Sequence, residues 1–224
     1  MALLSNKELI RRVPLFSLLT DAQATSIADS VVKRRFRRGE RIVEQGKKSD
    51  ALFILLTGRA RVVAADSRGR EVIFATLRPG DHVGEMSLID DEPHSATVVT
   101  EVQTDVLELS REEFARCLPE NSSMAYAVMR GLVKRLRQAD RKIESLALLD
   151  VYGRVAHALL EFAAPDKDGQ LVIREKVSRQ DLAKMVGASR EMVSRVMKDI
   201  EERGLVQYAE DGSMLIKERL TSLG

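Results

Sequence analysis

The period of the apolar positions changes twice along the 224 residues. From Arg35 to about Leu109 the chain reads as short β-rich runs. "ALFILLTGRARVVAA" is broken by Gly58, and "REVIFATLRPGD" ends at Pro79-Gly80. Glycines at 39, 46, 58, 69, 80 and 84 punctuate the runs at the spacing of a β-barrel or jelly roll, where they supply positive φ at the corners. Just before them, "TDAQATSIADSV" predicts a short helix with Thr20 or Asp21 as N-cap.

From about Ser123 to Leu148 the period lengthens. Met129, Leu132, Leu136, Ala139, Ile143 and Leu146 follow one another at 3, 4, 3, 4 and 3 residues. That is a heptad seam, and it predicts a long helix that pairs with a second copy of the chain. The plainer alternative is a helix packed on its own barrel. Beyond Asp150 the pattern is compact and helical. "DVYGRVAHALLEFAA" is amphipathic and stops at Pro165, and the loop "PDKDGQ" and the short strand "LVI" follow.

The sharpest signal is "SRQDLAKMVGASREMVSRVMKDIEERGLV", two short helices about a turn. Ser178 and Asp181 have capping-box spacing, and Gly187 stands where the turn needs a left-handed residue. Ser189 caps the second helix. On it Val193, Val196, Met197 and Ile200 form an apolar face, opposite Arg190, Glu191, Ser194, Arg195 and Lys198. "GLVQYAEDGSMLI" then predicts a hairpin wing turning at Asp211-Gly212. A recognition helix lays its first turns against base edges in the major groove. An arginine fork matches the two acceptors of guanine, and a glutamate accepts from the cytosine amino group. Glu191 and Arg195 are four apart, so the acid is expected to hold the arginine in its reading pose. With Arg179, Gln180 and Ser189 at the helix starts, these residues form the expected DNA-contacting set.

Composition narrows the classes. Apolar residues make up 44% and charged residues 31%, ordinary for a globular protein. No apolar run approaches the roughly 20 residues that cross a bilayer, and the N-terminus has no long apolar region of a signal peptide. Cys117 is the single cysteine, which excludes an internal disulfide and a cysteine-ligated iron–sulfur cluster. The expected compartment is the cytoplasm, with no membrane partner. The net charge of +2 does not by itself point to nucleic acid. Of the basic blocks, "KRRFRRGER" reads as a solvated face. No metal-ligand cluster, nucleophile elbow or Walker loop is present, so an enzyme is not expected.

Together, the barrel, the long helix, "LALLDVYGRVAHALL" and "SREMVSRV" resemble the Crp/Fnr family of bacterial transcription regulators over nearly the whole chain. The resemblance implies an α+β architecture. Residues 1–122 would be a β jelly-roll effector domain of the cyclic-nucleotide-binding type, 123–148 a dimerisation helix and 149–224 a winged helix-turn-helix. It implies a homodimer on double-stranded DNA. Arg190, Glu191 and Arg195 match the catabolite-activator branch, which reads TGTGA half-sites. Glu191, Ser194 and Arg195 also fit the Fnr branch, which reads TTGAT. Arg190 favours the former. An RNA polymerase partner is implied too, with the loops Asp66–Glu71 and Ala164–Gln170 as candidate contacts. An effector is expected to rotate the winged helices about a hinge at Leu146–Asp150.

The same resemblance places an effector pocket at "GEMSLIDDEPHSATV". Gly84, Glu85, Met86, Ser87, His94 and Ser95 would line it. Glu85 would accept from a ribose hydroxyl, and Ser95 with backbone N–H groups would donate to a phosphate. His94 stands where the cyclic-AMP-binding members carry an arginine. A neutral imidazole has one donor and no fork, a loss on the order of 1.5–3 kcal/mol, or roughly ten- to a hundredfold in affinity. Ala139-Asp140 replace the Thr-Ser pair that meets adenine, so tight cyclic-AMP control is not expected. Cyclic di-GMP is an alternative, with Arg130, Arg135, Asp140 and Arg141 nearby in sequence. Haem ligation by His82, His94 or His157, an unknown ligand, and no ligand at all stay open. A rival function is a nucleotide-sensing protein that acts on protein partners, but it leaves Arg190, Glu191 and Arg195 unexplained.

Overall fold

A computed structural model describes residues 6–13, 16, 19–120, 122–175, 177–209, 211–217 and 220. The chain's contacts divide it into two compact units, Met1–Arg135 and Leu136–Gly224. The division falls inside one long helix.

The first unit opens with α1 (Asn6–Arg12) and α2 (Asp21–Ser30). Thr20 caps α2 in a full capping box: its hydroxyl accepts from the Gln23 N–H, and the Gln23 side chain accepts from the Thr20 N–H. Eight strands follow: β1 (Val32–Phe36), β2 (Arg41–Val43), β3 (Ala51–Leu55), β4 (Ala60–Ala65), β5 (Glu71–Leu77), β6 (His82–Val83), β7 (Thr97–Thr100) and β8 (Thr104–Ser110). They form two four-stranded antiparallel sheets, ordered β1-β8-β3-β6 and β2-β7-β4-β5, the expected jelly roll. All six glycines named for its corners have positive φ. At Gly58 the need is also steric, since a Cβ there would lie 2.5 Å from the Thr104 hydroxyl.

Strand β3 explains the unbroken apolar run "ALFIL", because both its faces are buried. Ala51, Phe53 and Leu55 point into the roll with Val83, Val98 and Val106. Leu52 and Ile54 point the other way, to a helical layer of Ile10, Phe16, Ile27, Phe114 and Val128. That layer includes α4 (Arg111–Glu120) and the start of α5 (Ser122–Leu148). The basic block on β1 is a salt-bridged face: Arg34 pairs with Glu108 at 2.7 Å, and Arg35 grips Asp105 with two nitrogens at 2.7 and 3.1 Å.

In the second unit, α6 (Val151–Phe162) is capped by Asp150, whose carboxylate accepts from the Gly153 N–H. β9 (Ala164–Pro165) and β10 (Leu171–Ile173) lead to α7 (Arg179–Val186) and α8 (Arg190–Glu202). The wing strands β11 (Val206–Tyr208) and β12 (Met214–Ile216) close the unit. The expected wing hairpin is present, and its strands also join β10 and β9 in one sheet, ordered β11-β12-β10-β9. A core of Val155, Leu159, Leu182, Val193, Met197 and Ile200 binds helices to sheet. Among the described residues no helix is long and apolar enough to cross a membrane.

Candidate functional site

The two helices α7 and α8 meet through the turn the sequence predicts. Gly187 is left-handed at φ +63°, and its N–H and that of Ala188 both reach back to the Ala183 carbonyl. Ala183 is buried, so the helices cross at a small side chain. Ser189 caps α8 by accepting from the Met192 N–H. Ser178 caps α7 by accepting from the Asp181 N–H; its own hydroxyl donates to the Asp181 carboxylate at 2.7 Å, so the motif is a cap with a side-chain clasp rather than a reciprocal box.

The buried stripe of α8 is Val193, Met197 and Ile200. Arg190, Glu191, Ser194, Arg195 and Lys198 are all exposed on the other side, as are Gln180 and Ser189. The charges divide along the helix. In its last turns Lys198 pairs with Glu202 at 3.6 Å and Arg203 with Asp199 at 2.8 Å. In its first turns neither Arg190 nor Arg195 has an ion-pair or hydrogen-bond partner among the described residues. The expected Glu191–Arg195 clasp is not formed. Backbone N–H at the helix start and the Ser189 hydroxyl hold the Glu191 carboxyl below its ordinary range, and the two arginines only add to this. Both forks are thus uncommitted at the end of the helix suited to base edges. Arg179 differs, because its guanidinium bonds Glu201 and the Tyr208 hydroxyl. Sequence reasoning missed Glu201 and Tyr208, since no local spacing links residues 179, 201 and 208.

The second candidate site lies in the first unit. Gly84 is left-handed at φ +97°, and a Cβ there would stand 2.5 Å from the Ala51 carbonyl oxygen, so only glycine can start α3 (Glu85–Asp90) at this place. Glu85 is fully buried. Its Oε1 pairs with Arg135 of α5, which also donates to the His82 carbonyl. Burial pushes the Glu85 carboxyl up, against the pull of Arg135. The other oxygen, Oε2, is buried without a hydrogen-bond partner, and so is the Ser87 hydroxyl. Met86 and Ser95 are exposed.

His94 is half-buried and committed: its Nε2 lies 2.8 Å from the Ser49 hydroxyl, and its backbone pairs with Gly46 and Lys47. Burial lowers its pKa, which favours the neutral ring. His82 is buried against Gly131 of α5, and burial and then Arg135 push its pKa down to about 4. His157 is half-exposed, 3.9 Å from Glu161. Among the described residues no group of three or more His, Cys, Asp or Glu could hold a metal ion. The Cys117 side chain lies outside the described ones.

Along α5, Met129, Leu136, Ile143 and Leu146 are exposed apolar residues, as the seam requires, and Ala139 is exposed too. Leu132 differs. It packs partly into the helical layer one turn beyond buried Val128, and Val133 is the exposed residue instead. The exposed row is then Met129, Val133, Leu136, Asp140 and Ile143, spaced 4, 3, 4 and 3.

Two family models match the chain. Residues 33–121 match the cyclic nucleotide-binding domain, and residues 153–220 match the Crp-like helix-turn-helix domain. The chain is 37% identical over 183 residues to the cAMP-activated global transcriptional regulator Vfr of Pseudomonas aeruginosa, covering 78% of this chain and 84% of Vfr. The chain belongs to the Crp/Fnr family. It is 32% identical over 171 residues to a second Crp/Fnr relative, the cAMP-activated global transcriptional regulator CRP of Salmonella typhimurium, covering 74% and 80% of the two chains. The structure of the c-di-GMP-responsive global regulator CLP of Xanthomonas campestris superposes with a TM-score of 0.74 at 27% identity, over 88% of this chain and 98% of that one. As a Crp/Fnr member the chain is a DNA-binding transcription regulator and not an enzyme.

Proposed function

We propose that this regulator works as a two-fold dimer that reads TGTGA-like half-sites through Arg190, Glu191 and Arg195. The observation that carries this reading is the charge division on α8, where Arg190 and Arg195 near the helix start have no ion-pair or hydrogen-bond partner among the described residues. A fork released from internal pairing can bond guanine O6 and N7 together, and Glu191 can accept from cytosine. The exposed row on α5 from Met129 to Ile143 supports the dimer. Asp140 within it fits the use of one polar seam residue to fix register. Two copies on a two-fold axis would place their α8 helices in successive major grooves, about 34 Å apart. RNA polymerase would be met through exposed loops such as Asp66–Glu71.

A cyclic nucleotide is the proposed effector of the first unit. Vfr and CRP are cAMP-activated, and CLP responds to cyclic di-GMP. The sugar side of the pocket fits: Glu85 Oε2 and the Ser87 hydroxyl are buried and unsatisfied, and a ribose hydroxyl would answer such groups. The phosphate side would rest on Ser95, backbone N–H groups and a neutral His94 already bonded to Ser49, which favours weaker retention than an arginine gives. Bound there, the nucleotide would act by favouring the DNA-ready state over the other. The test is Arg190→Gln combined with Arg195→Gln, titrated on a TGTGA palindrome with and without cyclic AMP and cyclic di-GMP. Specific binding should vanish in the double variant under all conditions. Retention of specific binding would point to action on protein partners instead.

A further inference from the structure

Three side chains from three elements converge on the wing side of α8. Arg179 is the first residue of α7, Glu201 stands in the last turn of α8 and Tyr208 ends β11. One Arg179 nitrogen, Nη2, donates to Glu201 Oε1 and lies 3.4 Å from the Tyr208 hydroxyl. That hydroxyl donates to the same Glu201 oxygen at 3.1 Å. Two donors therefore share one acceptor. Arg179 and Glu201 are each one-third exposed, and the Tyr208 side is half-exposed, so the cluster faces solvent along one edge. A guanidinium carries five N–H donors in a fixed fork. Holding it by Nη2 fixes its plane and leaves Nε and Nη1 to meet another anion.

We propose that Glu201 and Tyr208 are positioning residues for DNA binding: they hold Arg179 in the pose from which its remaining N–H groups meet a backbone phosphate. This rests on the placement of Arg179 at the DNA surface. The first helix of a helix-turn-helix crosses the backbone while the second enters the groove, which puts the start of α7 beside phosphate rather than base. An arginine held in place loses less rotamer freedom on meeting its phosphate than one that is loose. The wing and the recognition helix thus act on one phosphate contact without touching it.

The test is a double-mutant cycle with the full-length protein and a TGTGA duplex, followed by fluorescence anisotropy over a series of salt concentrations. Arg179→Gln should weaken binding and flatten the plot of log affinity against log salt by about 0.9, as one lost phosphate contact does. Glu201→Gln and Tyr208→Phe should each weaken binding by about three- to tenfold. Placed in the Arg179→Gln background, each should cost almost nothing further. Thermal midpoints of all variants should stay within a few degrees of the parent, which separates positioning from loss of fold. Tighter binding by Glu201→Gln, or losses that add to that of Arg179→Gln, would overturn the positioning role. An unchanged affinity and salt slope for Arg179→Gln itself would instead remove Arg179 from the DNA surface.

Discussion

Arg135 and Glu85, fifty residues apart, form an ion pair in which the carboxylate is wholly buried and the guanidinium is one-third exposed. The pair ties α5 to the glycine turn that starts α3. It also joins the helix bearing the proposed dimer seam to the residue proposed to hold a ribose. A buried ion pair contributes little net stability, but removing one partner strands the other.

Arg135→Met should therefore destabilise the protein by about 2 kcal/mol, a figure reduced from the usual cost because Arg135 is partly solvated. Glu85→Gln, which keeps a hydrogen-bonding group, should cost less. Urea unfolding of both variants checks the order, and a stabilised Arg135→Met would show that the pair does not hold α5.

Acid should weaken the first unit through His82. The imidazole has an ordinary pKa of 6.5 and a folded value of about 4, because burial and Arg135 both oppose its charge. The unfolded chain binds the proton more readily, so the contribution is complete above pH 6.5 and is lost as the pH falls towards 4. The loss is about 3 kcal/mol across that window. Glu85 acts in the opposite sense: its folded value is raised from 4.5, so its contribution is present below that value and lost as the pH rises. His82→Phe isolates the first effect. Thermal melts from pH 7 to pH 4 should show a shallower decline in this variant than in the parent.

The seam on α5 is open to a direct check. Leu136→Asp and Ile143→Asp place charge on residues that are exposed in the single chain, 61% and 65%, so the monomer fold should survive. Sedimentation velocity should show a dimer for the parent and a monomer for either variant. A parent that sediments as a monomer at micromolar concentration would contradict the dimer.

Much of the architecture is legible in local pattern. The glycine spacing marks the corners of the jelly roll, because positive φ is a single-residue property. Ser189, Gly187 and the apolar stripe of α8 locate the helix-turn-helix, because caps and helical period are set within a few residues. The misses are non-local. Heptad spacing alone cannot distinguish Leu132 from Val133, since both lie close to one stripe; buried Val128 a turn earlier decides which faces the core. The Glu191–Arg195 clasp looks obvious at i, i+4, but backbone N–H groups and Ser189 hold the acid instead. Commitment of His94 to Ser49 depends on a loop 45 residues away, and no spacing rule reports it.

If Arg190 and Arg195 of α8 read a GTGA-type half-site, the chain must prefer a TGTGA duplex over others. The decisive measurement is fluorescence anisotropy of the purified protein on a TGTGA palindrome, a TTGAT palindrome and a scrambled duplex, at one fixed salt concentration. Each duplex is titrated alone and then with cyclic AMP or cyclic di-GMP. Binding should be tightest to TGTGA at two chains per duplex, with the preference lost in Arg190→Gln. Equal affinity for all three duplexes under every condition, or a preference for TTGAT that Arg190→Gln leaves intact, would contradict it.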